Sequence, residues 1–148
     1  MVVIGGAAGY MWIKSYLNIN VPIDDIDIHI NTNKSDDVVV GQWLSLLPNY
    51  YSITPISSIT TLKPINGDGI KYDIFINERD HVECTILDGV PVENIHDLME
   101  SDMNTIEGIK EDLGYINTSD IEREWMVPKL ERMEYRFGLL KEVAMLLE

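Results

Sequence analysis

Two short stretches constrain the fold of this chain more than any others: "DIDIHI" at Asp25–Ile30 and "IKYDIFI" at 70–76. In the first, Ile26, Ile28 and Ile30 alternate with Asp25, Asp27 and His29, the pattern of a strand with one buried face. In the second, Lys71, Asp73 and Phe75 share one face, and Tyr72, Ile74 and Ile76 share the other. A carboxylate on an apolar element is costly unless something compensates its charge. Asp25 and Asp27, side by side on one face, repel each other unless a cation lies between them, and Mg²⁺ favours oxygen ligands of this kind. If the two strands are neighbours, Asp73 joins them. Three carboxylates converging on two divalent ions suit in-line phosphoryl or nucleotidyl transfer. The competing reading of these acids is a solvated strand edge.

The rest of the chain reads as a mixed pattern. Val2–Ile4 is a β-branched run that stops at Gly5-Gly6, and 7–17 is helical, with Ala7, Ala8, Met11, Trp12 and Tyr16 broadly on one side. Glycine at such a strand-to-helix turn lets a phosphate approach the backbone, where helix N-terminal N–H groups point at it. Residues 18–22 break the pattern, and Asp24 reads as a loop or capping residue. Ser35-Asp36-Asp37 opens a helix through "VVVGQWLSLL", which Pro48 stops. Strands are expected near 50–54, 57–62 and 82–87, with turns at 66–69 and at Asp88-Gly89.

From Asn94 the period becomes helical, with Ile95, Leu98, Met99, Met103, Ile106, Ile109 and Leu113 in one stripe ending near Gly114. A last helical region begins at Thr118-Ser119-Asp120 and carries Trp125, Leu130, Met133, Phe137, Leu140 and Leu147, with Pro128 expected to divide it. The fold class is therefore α/β (α+β): a mixed core at 1–93 and a C-terminal helical segment at 94–148.

Composition narrows the function classes. A chain of 148 residues with 45% hydrophobic content suits one compact domain and argues against disorder. The net charge of −14, from 25 acidic and 11 basic residues, repels nucleic acid unless the basic groups cluster, and favours cationic small molecules or basic proteins. The single Cys84 excludes an internal disulfide framework and fits a reducing compartment. His81 and Cys84 have ligand-like spacing, but no second pair completes a zinc site. The apolar start "MVVIGGAAGYMW" lacks a basic n-region, is interrupted by glycine and is too short to span a bilayer. A cytoplasmic protein with no membrane association is expected, either bacterial or a viral or phage product made in the host cytoplasm.

"VVIGGAAGYMW…DDIDIHI…IKYDIFIN" resembles the nucleotidyltransferase superfamily, the polymerase β-like fold. Its signature is a Gly-Gly or Gly-Ser turn, an Asp-x-Asp strand and a later strand aspartate. The likeness covers roughly the first half of the chain and is nearest to minimal, aminoglycoside and abortive-infection-type nucleotidyltransferases. "TILDGVPVENIHDLME" also resembles the segment leading into their helical tails. The resemblance implies a sheet of the nucleotidyltransferase type flanked by helices. It implies Mg²⁺- or Mn²⁺-dependent transfer of a nucleoside monophosphate from an NTP co-substrate such as ATP to an acceptor hydroxyl. Gly5 and Gly6 would hold the triphosphate, Asp25 and Asp27 would bind both ions, and Asp73 would bind the catalytic ion and help deprotonate the acceptor.

The chain also departs from that pattern. Gly6 and Asp25 are further apart than in many relatives. Asp102 in "DLMESDM" stands where relatives often carry a lysine, leaving Lys14 and Lys71 as substitutes for gripping nucleotide. Relatives usually place a helix before the first strand, so the chain is either a minimal form or a piece whose missing element a partner supplies. The apolar last helix either covers the sheet or pairs with a second chain, as a homo-oligomer or with a partner protein. The acceptor is a cationic small molecule, a protein hydroxyl, or a tRNA or other RNA if Lys110, Arg123, Lys129, Arg132 and Arg136 gather. His29 is expected to bond backbone, and Trp12 and Trp43 to belong to the core. The alternatives are an inactive nucleotidyltransferase-fold protein that binds nucleotide or a protein partner in phage–host conflict, and a purely structural domain.

Overall fold

The computed structural model describes residues 1–53, 59–115 and 117–148. In chain order the elements are β1 (Val2–Ile4), α1 (Gly5–Leu17), β2 (Asp25–Ile30), α2 (Asp36–Leu46), β3 (Tyr50–Ile53) and β4 (Ile59–Pro64). There follow β5 (Lys71–Ile76), β6 (Cys84–Leu87), β7 (Val90–Glu93), α3 (Ile95–Gly114) and α4 (Asp120–Leu147). The strands form one mixed seven-stranded sheet in the order β3-β4-β5-β2-β1-β7-β6. β2 runs parallel to β5 and antiparallel to β1, so the two alternating stretches are direct neighbours at the sheet's centre.

Register explains how the sheet divides its labour. Val92, Val3, Ile28 and Ile74 are successive cross-strand partners and form an apolar row across four strands. One residue along, Ile4, Asp27, Asp73 and Thr61 are partners in the next row. Because successive side chains alternate faces, the first row turns to the core and the second to the opposite side. Among the described residues the core comprises two clusters. One joins Val3 and Val92 to Ala8, Trp12 and Ile13 of α1, Leu98 of α3 and Leu140 and Val143 of α4. The other packs Val39 of α2 on Leu62, Ile74 and Ile76, with Trp43 at its margin. Both tryptophans are thus packing residues, and the 94–148 segment shares a core with the first half.

The helix ends follow local chemistry. Ser35 caps α2 by accepting the Val38 N–H, Asn94 caps α3 through the His96 N–H, and Ser119 caps α4 through the Glu122 N–H. Arg123 donates to the carbonyls of Leu113 at 2.7 Å and Tyr115 at 2.9 Å, closing the C-terminal end of α3.

Several elements differ from the sequence pattern. α1 begins at Gly5 itself rather than after the glycine pair. β4 extends through Pro64, while residues 54, 57 and 58 of the expected strands lie outside the described residues. β5 and β6 begin at Lys71 and Cys84, later than expected. β7 is a strand despite Pro91, which the pattern left as a connection; Pro91 lies between β6 and β1 on a stretch of only four residues. Pro128 does not divide α4, which runs continuously for 28 residues. Pro128 and Glu124 are both exposed, so the carbonyl that proline leaves without its helical donor faces water. Trp125 and Leu147 are exposed, and Met126, Leu139 and Val143 carry the buried face of α4 instead. Among the described residues no helix is long and apolar enough to cross a membrane.

Candidate functional site

The polar row places three acids together. Asp27 and Asp73 are register partners, and Asp25 lies two residues before Asp27 on the same face. One carboxylate oxygen from each lies within 4.8 Å of the others, the only such cluster of metal-ligating side chains among the described residues. His81 and Cys84 do not join it: both are exposed, in a loop and at the start of β6.

The neighbourhood raises the cost of three negative charges. Asp73 is oriented by Thr61 of β4, whose hydroxyl donates to Oδ1 at 2.6 Å. Asp27 Oδ1 is buried and has no hydrogen-bond partner. Burial, and then the charges of Asp25 and Asp73, push Asp27 up from an ordinary value of 3.8 to about 7. Burial also raises Asp25, aided by its contact with Asp73 and opposed by Lys71. Lys71 stands between two of the acids, its Nζ 3.6 Å from Asp25 Oδ2 and 3.6 Å from Asp73 Oδ2. Burial works against its charge, but Asp73 and Asp25 outweigh it and hold the ammonium above its usual range.

These residues fit a divalent ion. The donors are hard carboxylate oxygens, one of them an orphan in the protein interior. Three oxygens spread evenly around one Ca²⁺ lie about 4.2 Å apart and around one Mg²⁺ about 3.6 Å, so the triad reaches either by drawing its carboxylates together by about 1.2 Å or less.

The glycine pair borders the acids. Gly5 has φ +62°, and a Cβ there would lie 2.8 Å from Asp27 Oδ2, so only glycine fits. The Gly5 N–H donates to Glu93 Oε1 at 3.3 Å, leaving Gly6 as the glycine whose amide, in the first helical turn, lacks an intrahelical acceptor. Glu93 also accepts from the Arg79 guanidinium at 3.1 Å, and its backbone carbonyl accepts from Trp12 Nε1 at 2.8 Å. The Arg79 N–H in turn donates to Nε2 of buried His29 at 3.1 Å, the backbone bond expected of that histidine. Burial and then Arg79 lower the His29 pKa.

Asp25 and Asp27 open onto a cleft of about 860 Å³ between the sheet and α4. Gly5, Gly6, Asp25, Asp27 and Lys71 line one wall. Lys129, Arg132 and Arg136 line the other, at the i, i+3, i+7 spacing of one helical face. Arg136 reaches across α1: a Cβ on Gly6 would lie 3.0 Å from its Nη1, and one on Gly9 2.9 Å from its Cδ. It forks onto Asp102 of α3, so this buried acid is answered by a cation from another helix. Asp24 is exposed at the cleft's rim. Lys14 sits in the last turn of α1, at the far end of that helix from Gly5 and outside the lining of the cleft. Lys110 pairs with Glu134 and Arg123 with the carbonyls of Leu113 and Tyr115, so of the five cations named as candidates for an RNA acceptor three reach the cleft.

Sequence reasoning missed Thr61, Glu93 and the pairing of Asp102 with Arg136. Only Asp102 carried a visible signal: it falls on the buried stripe with Ile95, Leu98, Ile106 and Ile109, where a lone carboxylate requires a partner. The chain matches no protein-family model and no curated protein sequence.

Proposed function

We propose that this protein is a Mg²⁺- or Mn²⁺-dependent nucleotidyltransferase, moving a nucleoside monophosphate from an NTP such as ATP to an acceptor hydroxyl. The observation that carries the reading is the convergence of Asp25, Asp27 and Asp73 oxygens beside the glycine turn, with Asp25 and Asp27 lining a cleft that cations of α4 also line. The family likeness is supported by the arrangement around it: a Gly-Gly turn after β1, an Asp-x-Asp strand antiparallel to β1, and a third aspartate on a strand parallel to the second.

Asp25, Asp27 and Asp73 would hold the divalent ion. Bound there, it supplies charge neutralisation for the phosphates and polarisation of the attacking oxygen. Thr61 fixes one oxygen of Asp73 and leaves the other facing the site, where it can accept the acceptor's proton. Gly6 offers its amide to phosphate, and Lys129 and Arg132 offer positive charge from the opposite wall. Acidity of the whole chain favours a cationic small molecule or a protein hydroxyl as acceptor. The short row of cleft cations keeps an RNA end as the alternative.

A second reading has its own observation. Lys71 already places a positive charge between Asp25 and Asp73, which suits an inactive protein of the same fold that binds nucleotide or a partner. Incubation with labelled NTPs and Mg²⁺ separates the two, since only the enzyme releases pyrophosphate. Calorimetry is expected to detect NTP binding only with Mg²⁺ or Mn²⁺, and Asp27→Ala to abolish the metal-dependent part. NTP binding indifferent to EDTA, with no pyrophosphate formed, overturns the enzymatic reading.

A further inference from the structure

We propose that Lys71 is a resident counter-ion, an ammonium group that a divalent cation displaces as it enters the acid cluster. The inference rests on the metal-dependent reading above. Lys71 lies two residues before Asp73 on β5 and is the register partner of Asp25 on β2, so backbone geometry alone brings its side chain to the acids' face. Its Nζ stands equally far, 3.6 Å, from an oxygen of each. Both distances exceed the roughly 2.7–2.9 Å of a charge-assisted hydrogen bond. Charge, not directed bonding, holds the ammonium there.

The third acid is treated differently. Asp27 Oδ1 is buried without a hydrogen-bond partner, so the ammonium lies within 4 Å of Asp25 and Asp73 and reaches Asp27 only through its field. A monovalent, single-point cation divides the cluster in this way, whereas a multidentate ion would engage all three. Two cations competing for the same oxygens repel strongly at this range. Entry of the divalent ion therefore expels the ammonium. The Lys71 side chain is 41% exposed and lines the cleft, so its flexible stem can swing out without moving β5. The expelled charge then faces the same space as Lys129 and Arg132. Metal loading thereby adds a cation to the cleft where an anionic co-substrate would lie, and the bare ion binds more weakly than the three acids alone would allow.

The test is a titration with Mn²⁺ alone, by calorimetry and electron paramagnetic resonance, on the full chain and on Lys71→Met and Lys71→Arg. Lys71→Met keeps the apolar stem and is expected to bind Mn²⁺ about tenfold more tightly, while Lys71→Arg stays within about threefold of the wild type. In the wild type, labelling of Lys71 by an amine-acylating reagent, read by mass spectrometry, is expected to rise when Mn²⁺ is added. Equal or weaker Mn²⁺ binding by Lys71→Met, or labelling that Mn²⁺ leaves unchanged, overturns the exchange and leaves the metal reading standing. Failure of both wild type and Lys71→Met to bind Mn²⁺ overturns both.

Discussion

Arg136 on α4 forks onto Asp102 on α3, with Nε 2.9 Å from Oδ2 and Nη2 2.5 Å from Oδ1, and the aspartate is only 3% exposed. A carboxylate so placed is tolerable only while the guanidinium is present. Arg136→Met is expected to lower the unfolding free energy by about 3 kcal/mol in urea denaturation, because it strands a buried charge. The double variant Asp102→Leu/Arg136→Met is expected to recover most of that loss, since neither charge then remains in the interior.

Asp27 gives the fold a pH dependence of defined sign. Its folded value of about 7 lies above its ordinary 3.8, so the native chain keeps a proton there that the unfolded chain has released. The stability this supplies is complete below pH 3.8 and is lost as the pH rises through about 7. Metal-free Asp27→Asn is expected to show a flatter stability profile than the wild type across that window, measured by thermal melts in a buffer series. Divalent-ion affinity of the wild type is expected to climb over the same interval, with proton release on binding.

The hydroxyl of Thr61 touches only a supporting position, on Oδ1 of Asp73. Thr61→Val is isosteric and leaves that carboxylate free to rotate. Mn²⁺ affinity is expected to fall about tenfold, while stability changes by about 1 kcal/mol. Calorimetry and denaturation on the same preparation check the pair of outcomes.

Gly5 and Gly89 offer a matched comparison. Both have positive φ, +62° and +80°, but a Cβ at Gly5 meets Asp27 Oδ2 at 2.8 Å while one at Gly89 meets nothing within 4 Å. Gly89→Ala is expected to cost about 1 kcal/mol from backbone strain alone. Gly5→Ala is expected to cost more and also to weaken Mn²⁺ binding, because the carboxylate must shift.

Period-two alternation made the central strands and all three acids legible, because a side chain's face follows from its position along a strand. What joined Asp73 to Asp27 was the parallel register of β2 and β5, which adjacent residues do not encode. Pro91 hid β7, since proline speaks against a strand flanked on both sides; four residues between β6 and β1 were short enough to hold it. The glycine pair read as a phosphate cradle, yet Gly5 also makes room for Asp27, and Gly9 for the stem of Arg136. The Asp102–Arg136 pair spans 34 residues, and no local period links an acid on one helix to a base on the next. Thr61 was silent for the same reason: a threonine on a strand gains a role only once its register partner is known.

The cleft's two walls come from distant parts of the chain, Asp25 and Asp27 from β2 and Lys129, Arg132 and Arg136 from α4. On a translating ribosome the 63 residues from Asp73 to Arg136 take roughly 3–13 s to appear at about 5–20 residues per second. For those seconds Asp25 and Asp73 have Lys71 as their neighbouring cation, and Asp102 stands without the Arg136 that answers it in the fold. The cleft is closed on its second side only after α4 has emerged and docked, so its two walls meet late in the assembly of the domain.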